Sequence, residues 1–224
     1  MPQDELRPMG FRGHPMPVAL KITMALNIYA SGSFQGSTGD MSGVSQTAAQ
    51  HYIKEVTNAL FKRAIDYVCD QTNPDSQAEK AIGFGAIAGF PQVQSVMDCT
   101  HVAIKAQNDQ PATFINRKGF HSINAQLVCD HQKCFLQVWA RFLGSSHDAH
   151  ILRQSQVPQL FRPPINLQGW NLWDKGYPIE DLTAHACEEP LQCSGGEVQQ
   201  LPGSTQLTVE KAIGLLKMRF HCFD

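Results

Sequence analysis

From Val93 onward the apolar residues of this chain stop recurring at helical spacing and fall into short runs separated by polar turns. The runs are Val93–Met97, Val102–Ala106, Ser122–Cys129 and Phe135–Phe142, and each predicts a strand. Only four residues, Asp130, His131, Gln132 and Lys133, join the last two, a link suited to an antiparallel hairpin. A sheet of this kind needs apolar cover, and helical patterns on either side of it can supply that cover. The expected class is therefore α/β.

Residues 1–17 contain Pro2, Pro8, Pro15, Pro17, Gly10 and Gly13, so they read as a flexible lead-in. Val18, Ile22, Ala25, Leu26 and Tyr29 then recur at helical spacing up to Gly32. After a break at Gly36, Ser37, Thr38 and Gly39, Ser45 can cap a helix running to about Cys69, with Ala48, Tyr52, Val56, Ala59 and Leu60 on its apolar flank. This order is compatible with a helix-turn-helix in which Gln46, Thr47 and Gln50 face solvent or DNA, the plainer alternative being helices that simply cover the core. Gln71–Lys80 reads as a polar link. The expected division is a lead-in at 1–17, a helical module at 18–80 and a second domain at 81–224.

Further on, Asp148–Leu160 predicts a helix closed by Arg162, Pro163 and Pro164, and Trp170–Trp173 a short strand. Residues 178–206 carry no useful periodicity. Thr208 can cap a last helix whose Val209, Ala212, Ile213, Leu216 and Phe220 face a core, with Glu210 beside that stripe.

With 42% hydrophobic residues among 224, the chain can bury a core without disulfides or a structural metal. The 7 cysteines are odd in number and irregular in spacing, which argues against a secreted disulfide framework. No apolar run reaches the length of a membrane span. Cys99 and His101, Cys129 and His131, and His185 and Cys187 stand two apart, yet none forms a paired zinc knuckle, so most cysteines read as small core residues. There is no glycine-rich phosphate loop, serine nucleophile elbow or dinucleotide fingerprint. The net charge of -2 gives no bulk attraction to nucleic acid, although between residues 98 and 153 the formal balance is +2.

Three carboxylates stand where chemistry is plausible. Asp98 directly follows one predicted strand, Asp174 follows another, and Glu210 lies on the last helix. Converging carboxylates repel unless cations neutralise them, and hard oxygen donors suit Mg²⁺ or Mn²⁺. The alternative is two turn formers and one solvated acid. Asn116-Arg117-Lys118-Gly119 could hold a nucleic-acid phosphate near the carboxylates, or be a solvated turn.

The wording of several segments goes further. Val96-Met97-Asp98-Cys99-Thr100-His101-Val102-Ala103-Ile104, Phe114-Ile115-Asn116-Arg117-Lys118-Gly119-Phe120-His121 and Gly144-Ser145-Ser146-His147-Asp148-Ala149-His150-Ile151-Leu152-Arg153 closely resemble the PIF/Harbinger transposase-derived nuclease family. Trp173-Asp174-Lys175-Gly176-Tyr177-Pro178 and Val209-Glu210-Lys211-Ala212-Ile213 continue the likeness, as do Ala30–Gln35 and Gly43–Gln46 upstream. The resemblance implies an RNase H-like nuclease core behind a helix-turn-helix-like module, with Asp98, Asp174 and Glu210 as a metal-binding catalytic triad. It also implies a DNA substrate, nuclear location with the cytoplasm second, and a Myb-like or SANT-like partner. Arg117, Lys118, Lys175, Gln46 and Gln50 are the candidate DNA contacts.

Departures accompany it. Trp173 and Lys175 replace small residues beside the second acid, and Lys175 could contact a phosphate or pair with Asp174. Residues 179–206 lack the family's usual pattern, and the chain stops at Asp224 where relatives continue, so the fold is expected to be incomplete at its C-terminus. The expectation is a metal-dependent DNA endonuclease, with an inactive DNA-binding or protein-interaction remnant as the alternative.

Overall fold

The computed structural model describes residues 16–33, 35–68, 74–89, 92–105, 111–155, 157, 170–173 and 203–224. The chain forms two compact units, one of residues 1–68 with 215–224, the other of residues 69–214.

The first unit is helical. Helix α1 (Val18–Ser31) starts directly after Pro17 and stops at Gly32, whose φ of 64° is the left-handed conformation that ends helices cheaply only in glycine. Helix α2 (Gln35–Ser42) leads through Gly43 into α3 (Gln46–Arg63), whose first turn Ser45 caps by accepting the N–H of Ala48. The chain turns so tightly that a Cβ on Gly39 would meet the carbonyl of Val44 at 2.9 Å. Ala25, Val56 and Ala59 form one apolar cluster, and Met24, Ala49 and Ile53 another. Small residues at these contacts let α1 and α3 approach closely. The helix expected to reach Cys69 ends earlier, at Arg63, and a 3-10 turn over Ala64–Asp66 follows. Leu60, Phe61, Ile65 and Tyr67 stay exposed there, so the apolar flank continues past the point where it is covered. The C-terminal 3-10 turn, His221–Phe223, packs against α1, and the His221 carbonyl lies 3.0 Å from where a Cβ on Gly32 would sit.

The second unit is mixed. Its four-stranded sheet runs in the order β3-β2-β1-β4, from β1 (Val93–Ala103), β2 (Ser122–Cys129), β3 (Phe135–Leu143) and β4 (Trp170–Trp173). The two strands expected at Val93–Met97 and Val102–Ala106 are one, because β1 pairs antiparallel with β2 without a break from Val96↔Cys129 to Ala103↔Ser122. The polar residues Asp98-Cys99-Thr100-His101, which resemble a turn in sequence, lie inside this ladder.

The hairpin between β2 and β3 forms as expected. Asp130 closes it by accepting the N–H groups of Gln132 at 2.8 Å and Cys134 at 2.9 Å. Strand β4 is parallel to β1, and a buried side-chain hydrogen bond from Ser95 Oγ to Asn171 Oδ1 ties the two together.

Helix α4 (Pro74–Ala88) corrects the reading of Gln71–Lys80 as a link, and it packs against β1. Its first residue is a proline, whose fixed φ and missing N–H suit a first helical turn. Helix α5 (Asp148–Gln154) is interrupted at Ser155, which turns extended and whose hydroxyl donates back to the Leu152 carbonyl; Val157 is helical again, and the rest of the expected span to Leu160 lies outside the described residues. Helix α6 (Gly203–Arg219) begins before the expected cap, so Thr208 is a buried interior residue. Val209, Ala212 and Ile213 are buried as the helical stripe predicts. No described helix is long and apolar enough to cross a membrane.

Candidate active site

The parallel ladder between β1 and β4 aligns Met97 with Trp173. Asp98 and Asp174 are the residues that follow them in sequence; Asp174 and Lys175 themselves lie outside the described residues. Asp98 is half-buried, and its Oδ1 accepts the backbone N–H of Cys99 at 2.7 Å, which orients the carboxylate on the strand.

Strand alternation sorts the surroundings of this acid. Met97 joins Val128, Leu136, Leu152 and Val157 in a buried cluster against which Cys99 packs, so this face of the sheet is the one that α5 covers. His101 shares that face by the same period of two, and Asp98, one residue out of step, points to the other. Sequence proximity therefore misleads for His101, which stands three residues from the acid but across the sheet from it. Its Nδ1 lies 3.0 Å from Ser122 Oγ, to which Asn116 Nδ2 also donates at 3.0 Å.

The turn bearing Arg117 and Lys118 is built by Asn116. That side chain is buried, and its Oδ1 accepts the N–H groups of Lys118 at 2.9 Å and Phe120 at 3.3 Å. Gly119 completes the turn at φ 83°. Arg117 is largely exposed and reaches Asp148 at 3.8 Å, while Asn124 Nδ2 donates to the same carboxylate at 3.2 Å. Asn124 pairs with His101 across the ladder, which puts Asp148 and its arginine on the α5 side. The turn thus lies past the Ala103 end of β1, with the Arg117–Asp148 pair on the side of the sheet that α5 covers.

Glu210 is exposed on α6, beside the buried Val209. Among the described residues, no three His, Cys, Asp or Glu side chains come close enough together to hold a metal ion. Of the candidate ligands, Asp98 and Glu210 supply the hard oxygen atoms that Mg²⁺ or Mn²⁺ prefers. Gln46 and Gln50 are exposed on the first turns of α3, in the helical unit. Cys129 is a core thiol as read: burial, reinforced by the nearby charges of Asp130 and Cys134 and opposed by Lys133, pushes its pKa up to about 12.

Arg141 enters the sequence argument only through the +2 balance of residues 98–153. In the structure its guanidinium stacks over Trp139, with Cζ 4.3 Å from the ring centroid, and lies 5.7 Å from that of Phe142. The signal was the Trp-x-Arg-Phe spacing on a strand with a local irregularity.

The DDE superfamily endonuclease family matches residues 97–224, a span that begins at Met97, immediately before Asp98, and includes β2, β3 and α6. The chain belongs to this family. Within it, the likeness extends to Harbinger-derived relatives. A protein of Xenopus laevis named "Putative nuclease HARBI1" is 33% identical over 91% of this chain and 59% of its own length. The Homo sapiens protein of the same name is 32% identical over 91% of this chain and 58% of its own. "Protein ALP1-like" of Arabidopsis thaliana is 25% identical over 71% of this chain and 39% of its own. The chain thus spans less than two thirds of these DDE relatives. No solved structure matches it.

Proposed function

We propose that this DDE family member is a transposase-derived, divalent-metal-dependent DNA endonuclease, in which Asp98, Asp174 and Glu210 form the catalytic site on an RNase H-like core. The observation that carries the reading is the parallel pairing of Met97 with Trp173, because two neighbouring strands then lead into the two aspartates. Carboxylates on adjacent parallel strands at a sheet are a natural place for convergent acids. The family match and the relatives named as nucleases support a phosphodiester substrate.

In this reading Asp98 and Asp174 would hold the metal and Glu210 would complete its ligands. When bound, such an ion supplies positive charge to a phosphodiester and lowers the pKa of a water molecule. The chain's own part is to fix the acids. The Cys99 N–H holds one oxygen of Asp98, and the unbroken β1–β2 ladder holds the strand that carries it. Lys175, next to the second acid in sequence, is the candidate contact for the substrate phosphate.

The first unit is assigned as a helix-turn-helix-like DNA-binding module. The tight connection of α2 to α3 and the exposure of Gln46, Thr47 and Gln50 support this assignment. A nuclear site of action and a Myb-like or SANT-like partner belong to the same reading.

The test is cleavage of supercoiled plasmid with Mn²⁺ or Mg²⁺ by the parent chain and by Asp98→Asn, Asp174→Asn and Glu210→Gln, each confirmed folded by circular dichroism. Metal-dependent nicking abolished by all three substitutions supports the proposal. A folded parent that binds DNA and never cuts it assigns the chain to the alternative, a DNA-binding or protein-interaction remnant of the transposase fold.

A further inference from the structure

The sheet carries a second feature, on the face away from Asp98, that the triad does not use. Arg141 is exposed on β3, the outermost strand in the order β3-β2-β1-β4. Its guanidinium lies over Trp139, whose ring is stacked on that of Phe142 with centroids 6.3 Å apart and planes inclined by 24°. Among the described residues no carboxylate pairs with it. An arginine stacked on an aromatic ring keeps its N–H edge outward and loses little freedom when it binds an oxyanion, because the rings have already fixed its plane.

A second arginine is held on the same face by different means. Phe142 pairs with Asn124 across the β2–β3 ladder, and Asn124 Nδ2 donates to Asp148 Oδ1 at 3.2 Å. Asp148 Oδ2 in turn faces Arg117 Nη2 at 3.8 Å. Asn124 thus links the two arginines, to Arg141 through its ladder partner Phe142 and to Arg117 through Asp148. The Arg117 side chain is 78% exposed, so most of its donors face water despite the ion pair. Lys118, also exposed, follows it on a turn whose backbone is fixed by Asn116.

We infer that Arg117 and Arg141 form a clamp for the phosphate backbone of duplex DNA, on the sheet face opposite Asp98 and separate from the site of cleavage. Charge complementarity selects this occupant. The stretch from residue 98 to 153 is formally +2 in a chain of net charge -2, and Arg117 and Arg141 present guanidinium groups, which match phosphate oxygens in pairs. The clamp rests on the DNA reading above and adds a location to it: the DNA held here is a segment other than the one presented to the acids.

The experiment is fluorescence anisotropy with a labelled 30-base-pair duplex in EDTA, so that no cleavage occurs, over a range of salt concentrations. The variants are Arg117→Gln, Arg141→Gln, their combination, Arg141→Lys, and Lys133→Gln as a control that removes an exposed charge at the hairpin on the other end of β2. Each phosphate contact contributes a slope of about 0.9 in log K against log salt, so the double variant should lose about 1.8 from the slope and at least about tenfold in affinity. Arg141→Lys keeps the charge and loses the stacked plane, and should behave closer to Arg141→Gln than to the parent. Lys133→Gln should bind as the parent does.

Parent-like binding by the double variant overturns the clamp, as does a parent that fails to bind duplex DNA or an equal loss in Lys133→Gln. If Arg141 only guards an exposed strand edge, Arg141→Gln will self-associate in sedimentation with unchanged DNA affinity, and that too overturns it. The two readings fail separately. Loss of binding in the arginine variants of a chain that never cuts removes the nuclease alone, whereas Asp98-dependent cutting with arginine-independent affinity removes the clamp alone.

Discussion

Met97 and Trp173 are partners in a parallel ladder, and each is followed in sequence by an aspartate. A change from carboxylate to amide at the first of these positions tests chemistry with little disturbance of structure, because the side-chain amide would still offer an oxygen to the Cys99 N–H. Asp98→Asn is expected to melt within a few degrees of the parent. Metal-dependent nicking should fall by about 10²-fold or more, equivalent to about 2.7 kcal/mol of transition-state stabilisation. Initial nicking rates on supercoiled plasmid, with thermal melts of both proteins, check this.

His131 sits on α4 only because position 83 has no side chain. A Cβ on Gly83 would lie 2.2 Å from the imidazole Cδ2, and the same ring makes an edge contact with the buried Phe84 at 5.9 Å. Gly83→Ala should therefore destabilise the protein by about 1–3 kcal/mol through overpacking, despite the better helix propensity of alanine. In a double-mutant cycle, His131→Ala should recover part of that loss. Additive urea midpoints for the two changes would show that the ring does not rest there.

In the helical unit Lys21 is buried, with its Nζ 2.7 Å from Glu55 Oε2 and 4.9 Å from the Tyr52 ring centroid. Removing the acid alone leaves an uncompensated ammonium among Met24, Ala25 and the α3 side chains. Glu55→Ala is expected to cost about 2–3 kcal/mol, below the full figure for a buried pair because the glutamate is 35% exposed. Lys21→Met, which removes the charge and keeps the volume, should cost less than Glu55→Ala. Chemical denaturation of both variants gives the order.

Asn116 makes three side-chain hydrogen bonds while buried, two to the N–H groups of Lys118 and Phe120 and one to Ser122 Oγ. Its replacement by alanine should cost about 2–3 kcal/mol, since the groups it satisfies lose their partner. Faster amide exchange at Lys118 and Phe120 would report the loosened turn directly.

Cys129, with its thiol pushed up to about 12 by burial, stays protonated at pH 8 and should resist iodoacetamide, while exposed Cys134 reacts. The folded state holds the proton more tightly than the unfolded one, so this contribution to stability is whole below the ordinary thiol value of 9.0 and is lost as pH rises from there to about 12. Mass spectrometry of labelled peptides at pH 8, native and in urea, tests the first part. A comparison of urea midpoints at pH 8 and pH 10.5 between the parent and Cys129→Ala tests the second.

The strands were legible where apolar residues ran unbroken, as in Ser122–Cys129, and where a short polar link forced a hairpin. They were hard to read at Asp98-Cys99-Thr100-His101, because polar side chains on a ladder resemble a turn until their partners are known. Helix α4 was obscured for a related reason. Its first turn is Pro-Asp-Ser-Gln, a loop-like composition, and only Lys80 and Phe84, buried four residues apart, reveal the covered stripe. At the candidate site, the acids could be named from sequence, but the face each neighbour occupies could not. His101 and Arg117 look close to Asp98 along the chain, and strand alternation with the Asn124–Asp148 bond puts them on the other side.

The packing of His221–Phe223 against α1 has a consequence for biogenesis. In synthesis α1, α2 and α3 are made before the sheet, yet the contact that meets Gly32 arrives only with the residues after α6. The second unit contains no such dependence in its β1–β2–β3 meander, whose strands follow one another closely in synthesis. The meander can therefore pair before α6 is made, whereas the helical unit, begun earlier, gains its contact at Gly32 only after α6.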